Sequence, residues 1–109
     1  MERRKISDVS PPPAETRSEP RDEVHYRARV YDPGGRPTTM TVVNISPGGL
    51  MARIDEPLEI DATIRVTLPM LGQIAADVRW SLGGRIGCRF DRAIGAREYH
   101  DLIATLPRS

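Results

Sequence analysis

The sequence predicts an all-β fold, a small antiparallel β-barrel or sandwich of six strands with a C-terminal α-helix and a flexible N-terminal arm. Three observations lead to this prediction. Six short segments between Val24 and Phe90 alternate apolar and polar residues, as strands with one buried face do. Turn sequences rich in glycine and proline separate these segments. From about Gly95 onward, the apolar residues follow the spacing of a helix instead.

A chain of 109 residues is long enough for one domain with one modest core. Residues 1–15 hold few large apolar side chains and include the run Pro11-Pro12-Pro13, so we expect a flexible tail there. The rest of the chain is expected to form one domain, with an arm at 16–23, a barrel at 24–91 and a helix at 95–106 within the range 16–109.

The first two strands are predicted to form a hairpin. Every second residue from Val24 to Val30 is apolar or aromatic, and the residues between them are histidine and arginine, which we expect to face solvent. The sequence DPGG at residues 32–35 predicts a turn, because proline fits its second position and glycine tolerates a positive φ. Thr38–Ile45 is rich in β-branched residues and is predicted to pair back as the second strand.

The other four strands follow at regular spacing. Leu50–Ile54 comes directly after a Ser-Pro-Gly-Gly corner, and a polar turn separates it from Thr63–Leu68. The last two strands, around Gln73–Trp80 and Ile86–Phe90, are joined by a Gly-Gly turn. The residues predicted to point inward on the last three strands are Ile64, Val66, Leu68, Ile74, Ala76, Val78, Trp80, Ile86, Cys88 and Phe90.

The final segment is predicted to be an amphipathic helix. Tyr99, Leu102, Ile103 and Leu106 follow helical spacing and therefore share one apolar stripe. We expect this stripe to close one opening of the barrel.

The composition excludes several classes of function. Sixteen basic and fifteen acidic residues leave a formal net charge of +1, so no global field attracts nucleic acid or an acidic membrane. The single cysteine, Cys88, excludes an internal disulfide and cannot build a metal site alone. The N-terminus lacks the apolar stretch of a secretory signal, and no run is long enough to span a membrane. We therefore expect a cytoplasmic protein without a cofactor, and neither nucleic-acid binding nor membrane insertion.

No set of residues points to catalysis. His25 lies on the polar face of a predicted strand and His100 on the predicted helix, and nothing in the sequence suggests that they converge. No carboxylate pair or Ser-His-Asp set stands at a recognisable spacing. Cys88 alternates with Ile86 and Phe90, which favours a buried structural thiol over a nucleophile. We do not expect an enzyme.

Two short motifs remain, RSEPR at residues 17–21 and NISPGG at residues 44–49. Each has a local explanation. With fifteen arginines, an Arg-x-x-x-Arg pair arises easily by chance, and Arg85 and Arg89 form another pair, predicted to lie on a solvated face. Asparagine, serine and glycine are also common at the turns that end strands. Neither motif alone therefore identifies a site.

The order of the two motifs resembles the signature of the PilZ domain, Arg-x-x-x-Arg followed one hairpin later by Asp/Asn-x-Ser-x-x-Gly. The stretch ADVRWSLGGRIGCRF is similar to the late hairpin of that family, in which a Val-x-Trp strand is followed by Gly-x-x-Phe. The trailing amphipathic helix also fits. The resemblance extends from about Thr16 to the C-terminus.

This resemblance implies a six-stranded barrel that binds the bacterial second messenger cyclic di-GMP. The ligand has two phosphates and two guanines, and an arginine fork can bond a guanine edge bidentately or clamp a phosphate. Side chains two residues apart on a strand point the same way, and glycine lets a ligand approach the backbone closely. The implied ligand-binding residues are Arg17, Arg21, Asn44, Ser46, Gly48 and Gly49.

Asn44 stands where the family often has an aspartate. Asparagine keeps an acceptor oxygen and adds an amide donor, but it removes a negative charge that could pair with an arginine or accept from guanine amines. The affinity for the ligand is therefore expected to differ from that of an aspartate-containing member.

The function that we expect is that of a stand-alone PilZ receptor, which binds cyclic di-GMP and relays the signal to an unidentified effector protein by ordering its N-terminal arm. Two alternatives stay open. One keeps the fold without the ligand, as a protein-interaction adaptor. The other is a small barrel that binds RNA or single-stranded DNA, although one Trp, one Phe and three Tyr offer few stacking residues.

Overall fold

The computed structural model of the protein describes residues 20–108. The predicted tail at 1–15 and the first arm residues, including Arg17, lie outside the described residues. Asp22 and Glu23, predicted as the last residues of the arm, are the first residues of β1. The elements are β1 (Asp22–Tyr31), β2 (Pro37–Ser46), β3 (Gly49–Arg53), β4 (Thr63–Leu68), β5 (Gly72–Leu82), β6 (Arg85–Phe90) and α1 (Ala96–Thr105).

The six strands form a closed antiparallel barrel in the spatial order β1-β2-β3-β6-β5-β4. Four of the neighbouring pairs are also consecutive in sequence. The other two, β3 with β6 and β1 with β4, join segments that are distant in the chain and so close the barrel. Closure gives each strand a partner on both sides. The predicted fold class, a six-stranded antiparallel barrel with a C-terminal helix, is confirmed.

One hydrophobic core fills the barrel. Along β1, buried Ala28 and Val30 alternate with exposed Arg27 and Arg29, as a strand with one solvated face requires. All of the predicted inward residues on β4 and β6 are buried as well. The buried apolar residues of the core are Val24, Ala28, Val30, Met40, Val42, Ile45, Leu50, Ala52, Ile64, Val66, Leu68, Ala76, Val78, Ile86, Cys88, Phe90, Ile94, Leu102 and Leu106.

Trp80 is the exception among the predicted inward residues. The register between β5 and β6 shifts between Val78 and Trp80, which marks a β-bulge. Val78 lies opposite the inward-facing Cys88, whereas Trp80 lies opposite Gly87. Gly87 alternates with Cys88 and the fully buried Ile86, so it belongs to the outer face. Trp80 therefore also lies on the outer face, and the prediction that it points inward is wrong because the bulge interrupts the alternation.

The C-terminal segment covers the part of β1 that β4 does not reach. β1 pairs with β4 over only two residue pairs, both near its end. Nearer its start, the backbone N–H of His25 donates to the carbonyl of Pro107 at 2.9 Å, and Val24 forms a β-bridge with Arg108. The apolar stripe of α1 packs on the core, with Leu102 fully buried, as the helix prediction expected. Within residues 20–108, no helix has the length and apolar character needed to cross a bilayer.

Candidate functional site

The pairing of β1 with β2 brings Arg21, the last residue of the first motif, near the second motif. Asp22 lies opposite Ile45, and Glu23 lies opposite Asn44, so the beginning of β1 runs beside the end of β2. Arg21 directly precedes β1 and is half-buried. The structure therefore places Arg21 at the same end of the barrel as the second motif, while Arg17 lies outside the described residues.

Asn44 and Ser46 point to the outer face of the barrel. Ile45, between them, is fully buried in the core, and successive side chains of a strand point to opposite faces. This agrees with the expectation that Asn44 and Ser46 share a direction. Ser46 is nevertheless only 6% exposed. We call the patch formed by Arg21, Asn44, Ser46 and Gly49 the motif surface.

The corner between β2 and β3 is held by its own polar groups and by the segment after β6. The Ser46 Oγ accepts from the N–H of Gly48 at 3.3 Å and lies 3.5 Å from the carbonyl oxygen of Gly49. The carbonyl of Gly48 accepts from the N–H of Phe90 at 2.8 Å, and that of Pro47 accepts from the N–H of Ile94 at 2.8 Å. These bonds fix the corner against the barrel wall.

Gly49 is constrained by the neighbouring strand. A Cβ at this position would overlap the carbonyl oxygen of Cys88 and come within 3.3 Å of the Cα of Arg89. Within residues 20–108 the glycines with a positive φ are Gly35, Gly72, Gly83 and Gly84, so Gly49 is not chosen for its φ. Glycine is needed here because the backbones of β3 and β6 approach each other closely. The sequence alone did not reveal this structural reason.

Asn44 carries an unused acceptor. Its Nδ2 donates to the Sδ of Met51 at 3.8 Å, whereas its Oδ1 is buried and has no hydrogen-bond partner in the part of the chain that the structure describes. The exposed carboxylate of Glu23 lies directly across from it on β1. The Glu23 carboxylate is therefore exposed to a ligand, whereas the Asn44 Oδ1 has to be uncovered before a ligand can reach it.

Trp80 lies on the outer face of β5, three strands away from Asn44 around the barrel. The strand registers place Asn44 opposite Met51, Met51 opposite Gly87, and Gly87 opposite Trp80. The Trp80 ring covers Gly87 so closely that a Cβ there would lie 2.5 Å from its Cε2. The Val-x-Trp and Gly-x-x-Phe pattern therefore encodes an aromatic ring packed on a glycine, on the same face as Asn44. Sequence reasoning missed this placement because it assigned Trp80 to the core.

Arg89 is a second residue that sequence reasoning left out of the site. It lies directly opposite Gly49 in the β3–β6 pair and is exposed. The sequence shows Arg89 only as a member of a chance arginine pair with Arg85. The two arginines lie at opposite ends of β6, and only Arg89 borders the motif surface.

Tyr99 links the helix to both motif-bearing strands. Its hydroxyl lies 2.5 Å from the Oδ2 of Asp22 and 2.9 Å from the carbonyl oxygen of Ile45. Arg108 adds a looser ion pair to Asp22, at 3.8 Å. The sequence shows Tyr99 only as part of the apolar stripe. Its polar contacts could not be predicted from local sequence, because Ile45 and Asp22 lie 54 and 77 positions away in the chain.

Other features of the described residues lie apart from the motif surface. A groove of about 270 Å³ at the other end of the barrel is lined by residues that include Val30, Met40 and Leu58, and by no motif residue. No group of three histidine, cysteine or acidic side chains in residues 20–108 could hold a metal ion. Cys88 is buried, as predicted, and burial together with the nearby charge of Asp77 raises the pKa of its thiol to about 12. A thiol with that pKa is protonated at neutral pH and is a poor nucleophile.

Comparison with known proteins assigns most of the chain to one domain family. The family model of the PilZ domain matches residues 15–106, which include both motifs, all six strands and the helix. No curated protein gives a significant match to the sequence. The family match covers well over half of the 109 residues, so the chain belongs to the PilZ domain family.

Proposed function

We propose that this protein is a receptor for cyclic di-GMP that binds the nucleotide on the motif surface. The observation that carries the proposal is the register of the first hairpin. It pairs Glu23 with Asn44, so Arg21, which directly precedes β1, lies near the Asn-x-Ser-x-x-Gly corner. This proximity supports a surface to which both motifs contribute, as a ligand with both phosphates and guanine edges requires.

The arginines supply positive charge that attracts the negatively charged ligand. Cyclic di-GMP is a dianion, and each guanine presents O6 and N7 as acceptors on one edge. Arg21, and Arg17 four residues before it, can bond a guanine edge bidentately or clamp a phosphate. Charge-assisted hydrogen bonds of this kind contribute roughly 1.5–3 kcal/mol each. Two such arginines can account for a large part of the affinity.

The buried acceptor of Asn44 suits the donor groups of guanine. An unsatisfied buried acceptor costs about 1–3 kcal/mol, and a ligand N–H that reaches the Oδ1 would recover that cost. Guanine carries such donors on its N1 and N2 atoms, and the Glu23 carboxylate across the strand pair is a further acceptor for them. This arrangement supports recognition of guanine on the asparagine side of the surface.

The relay that we propose runs through the N-terminal arm. Ligand bound to Arg17 and Arg21 orders the arm over the barrel and changes the surface that an effector protein meets. Asp22, the residue after Arg21, contacts Tyr99 of α1, so a change at the arm also reaches the helix. A protein of this kind binds its ligand and changes shape, and it transforms no substrate.

Isothermal titration calorimetry with cyclic di-GMP tests the proposal, with cyclic di-AMP as the matched control. We expect saturable binding of the guanine dinucleotide and at least tenfold weaker binding of the adenine one, because adenine lacks the O6 acceptor and the N1 and N2 donors. Trp80 is the only tryptophan and lies on the outer face of the barrel, so its fluorescence is a second readout of a ligand-induced change at that surface. Absence of heat and of a fluorescence change with both ligands would overturn the proposal and favour the adaptor alternative.

A further inference from the structure

We propose that Arg89 is a third arginine of the nucleotide site and holds a phosphate of cyclic di-GMP from the barrel side. The inference rests on the proposed function and adds to it a residue that neither motif contains.

The position of Arg89 follows from two strand registers. Ser46 lies opposite Gly49 in the β2–β3 pair, and Gly49 lies opposite Arg89 in the β3–β6 pair. Directly opposed residues in antiparallel strands have Cα atoms about 5 Å apart, so the three residues form a short row across the outer face. Gly49 has no side chain, so no side chain of the middle residue of this row stands between Arg89 and Ser46. The exposed guanidinium of Arg89 can therefore reach over the corner.

The backbone around Arg89 is fixed to the corner as well. The N–H of the next residue, Phe90, donates to the carbonyl of Gly48 at 2.8 Å, and Cys88 and Phe90 on either side are buried in the core. Arg89 thus projects from a rigid strand rather than from a loop. Its side chain retains rotamer freedom, but its Cα keeps a constant position relative to the motif.

The charge of Arg89 is not neutralised by its neighbours. Asp77 lies directly opposite it on β5, but the Oδ1 of Asp77 accepts from the Oγ1 of Thr63 at 2.8 Å, on the side of β4 that faces away from Arg89. Asp91, two residues along, is exposed. Within residues 20–108, no carboxylate lies within 4.0 Å of the Arg89 guanidinium. The Arg89 guanidinium therefore forms no ion pair among the described residues, although Asp77 lies across the strand pair from it.

A phosphate is the ligand group that such a charge attracts most strongly. Each phosphate of the dinucleotide carries a full negative charge, whereas a guanine edge offers only partial charges. Lysine at this position keeps the positive charge for a phosphate but loses the planar fork of the guanidinium. The lysine variant therefore tests whether the charge alone accounts for the contribution of Arg89.

Arg85 is the matched control for Arg89. It lies four residues earlier on β6, is also exposed on the outer face, and is opposite Arg53 at the far end of the strand. The experiment is calorimetric titration of the full chain and of its Arg89→Ala, Arg89→Lys and Arg85→Ala variants with cyclic di-GMP. We expect Arg89→Ala to weaken binding by at least about tenfold, and Arg89→Lys and Arg85→Ala to stay within about threefold of the unmodified protein.

Each result has one meaning. If the unmodified protein binds and Arg89→Ala binds equally well, Arg89 is outside the site, while the proposed function stands. If Arg89→Lys is as weak as Arg89→Ala, a positive charge at this position is not sufficient, and the proposal that Arg89 holds the phosphate through its charge is wrong. If the unmodified protein does not bind, the proposed function fails and this inference fails with it. The thermal midpoints of all variants should agree within a few degrees, since an exposed arginine adds little to stability.

Discussion

The hydroxyl of Tyr99 lies 2.5 Å from the Oδ2 of Asp22, a residue 77 positions earlier in the chain. Asp22 directly follows Arg21, so this contact ties the C-terminal helix to the base of the arginine arm. The same hydroxyl lies 2.9 Å from the carbonyl oxygen of Ile45, between Asn44 and Ser46. One side chain of the helix therefore touches both strands that carry the motifs.

Replacing Tyr99 by phenylalanine should destabilise the protein measurably. The ring keeps its packing, but Asp22 and the Ile45 carbonyl lose their donor, and a lost hydrogen bond of this kind costs about 0.5–1.5 kcal/mol. Urea unfolding of Tyr99→Phe measures the change in the free energy of unfolding. Tyr31→Phe is the control, because Tyr31 is also half-buried and makes no side-chain hydrogen bond within the described residues. Equal stability of Tyr99→Phe and the unmodified protein would show that the contact contributes nothing.

Removal of either motif arginine should weaken the binding of cyclic di-GMP. We expect Arg17→Ala and Arg21→Ala each to lower the affinity by at least about tenfold, since a lost charge-assisted bond is worth roughly 1.5 kcal/mol or more. Calorimetric titration measures the change, and Arg85→Ala should remain within a few-fold of the unmodified protein. Wild-type affinity in both motif variants would remove these arginines from the site.

A truncated chain that begins at Asp22 should fold without binding the ligand. All six strands and the helix lie at or after Asp22, and the deleted residues hold little apolar surface for a core. Far-ultraviolet circular dichroism and a cooperative unfolding transition would report the intact barrel. Calorimetry should then show no binding, because both arginine forks are absent. Normal affinity in the truncated chain would contradict a role for the arm.

Substitution of Gly49 by valine should lower stability as well as binding. The new Cβ would overlap the carbonyl oxygen of Cys88, so β3 and β6 must separate locally. Overpacking of this kind costs about 2 kcal/mol or more. Gly34→Ala is the control, because its Cβ would meet nothing closer than the Asp32 side chain at 3.5 Å. If thermal unfolding places Gly49→Val at the midpoint of the unmodified protein, the contact between β3 and β6 is looser than the structure indicates.

The stability of the protein should fall from about pH 9 upward through the titration of Cys88. Burial and the charge of Asp77 raise the pKa of this thiol from the usual 9.0 to about 12 in the folded protein. Between these values the unfolded chain loses the thiol proton and the folded protein keeps it, so rising pH favours unfolding. Urea unfolding at pH 8 and pH 10.5 should show a smaller decline for Cys88→Ala than for the unmodified protein. Parallel declines would mean that the thiol ionises freely in the folded state.

Much of the fold followed from local patterns in the sequence. The alternation along β1, with Ala28 and Val30 inward and Arg27 and Arg29 outward, depends only on strand geometry and on the burial of apolar surface. The DPGG turn determined that β2 folds back on β1. A hairpin sets its two strands in register, and so the adjacency of Arg21 and the Asn44 corner was predictable from their order in the chain.

The rest was decided by contacts between segments that are not neighbours in sequence. The bulge in β5 turned Trp80 outward. The alternation of apolar and polar residues in the sequence does not show where such a bulge interrupts the strand pairing. The placement of Arg89 beside Gly49 arose from the pairing of β3 with β6, two strands that are joined only through barrel closure. The contact of Tyr99 with Asp22 required the helix to dock on the start of β1. Sequence periodicity specifies which side chains are buried because burial depends on local backbone geometry. Closure of the whole barrel determines which residues become neighbours on the surface. Closure depends on the register of every strand at once, so local sequence patterns do not specify it.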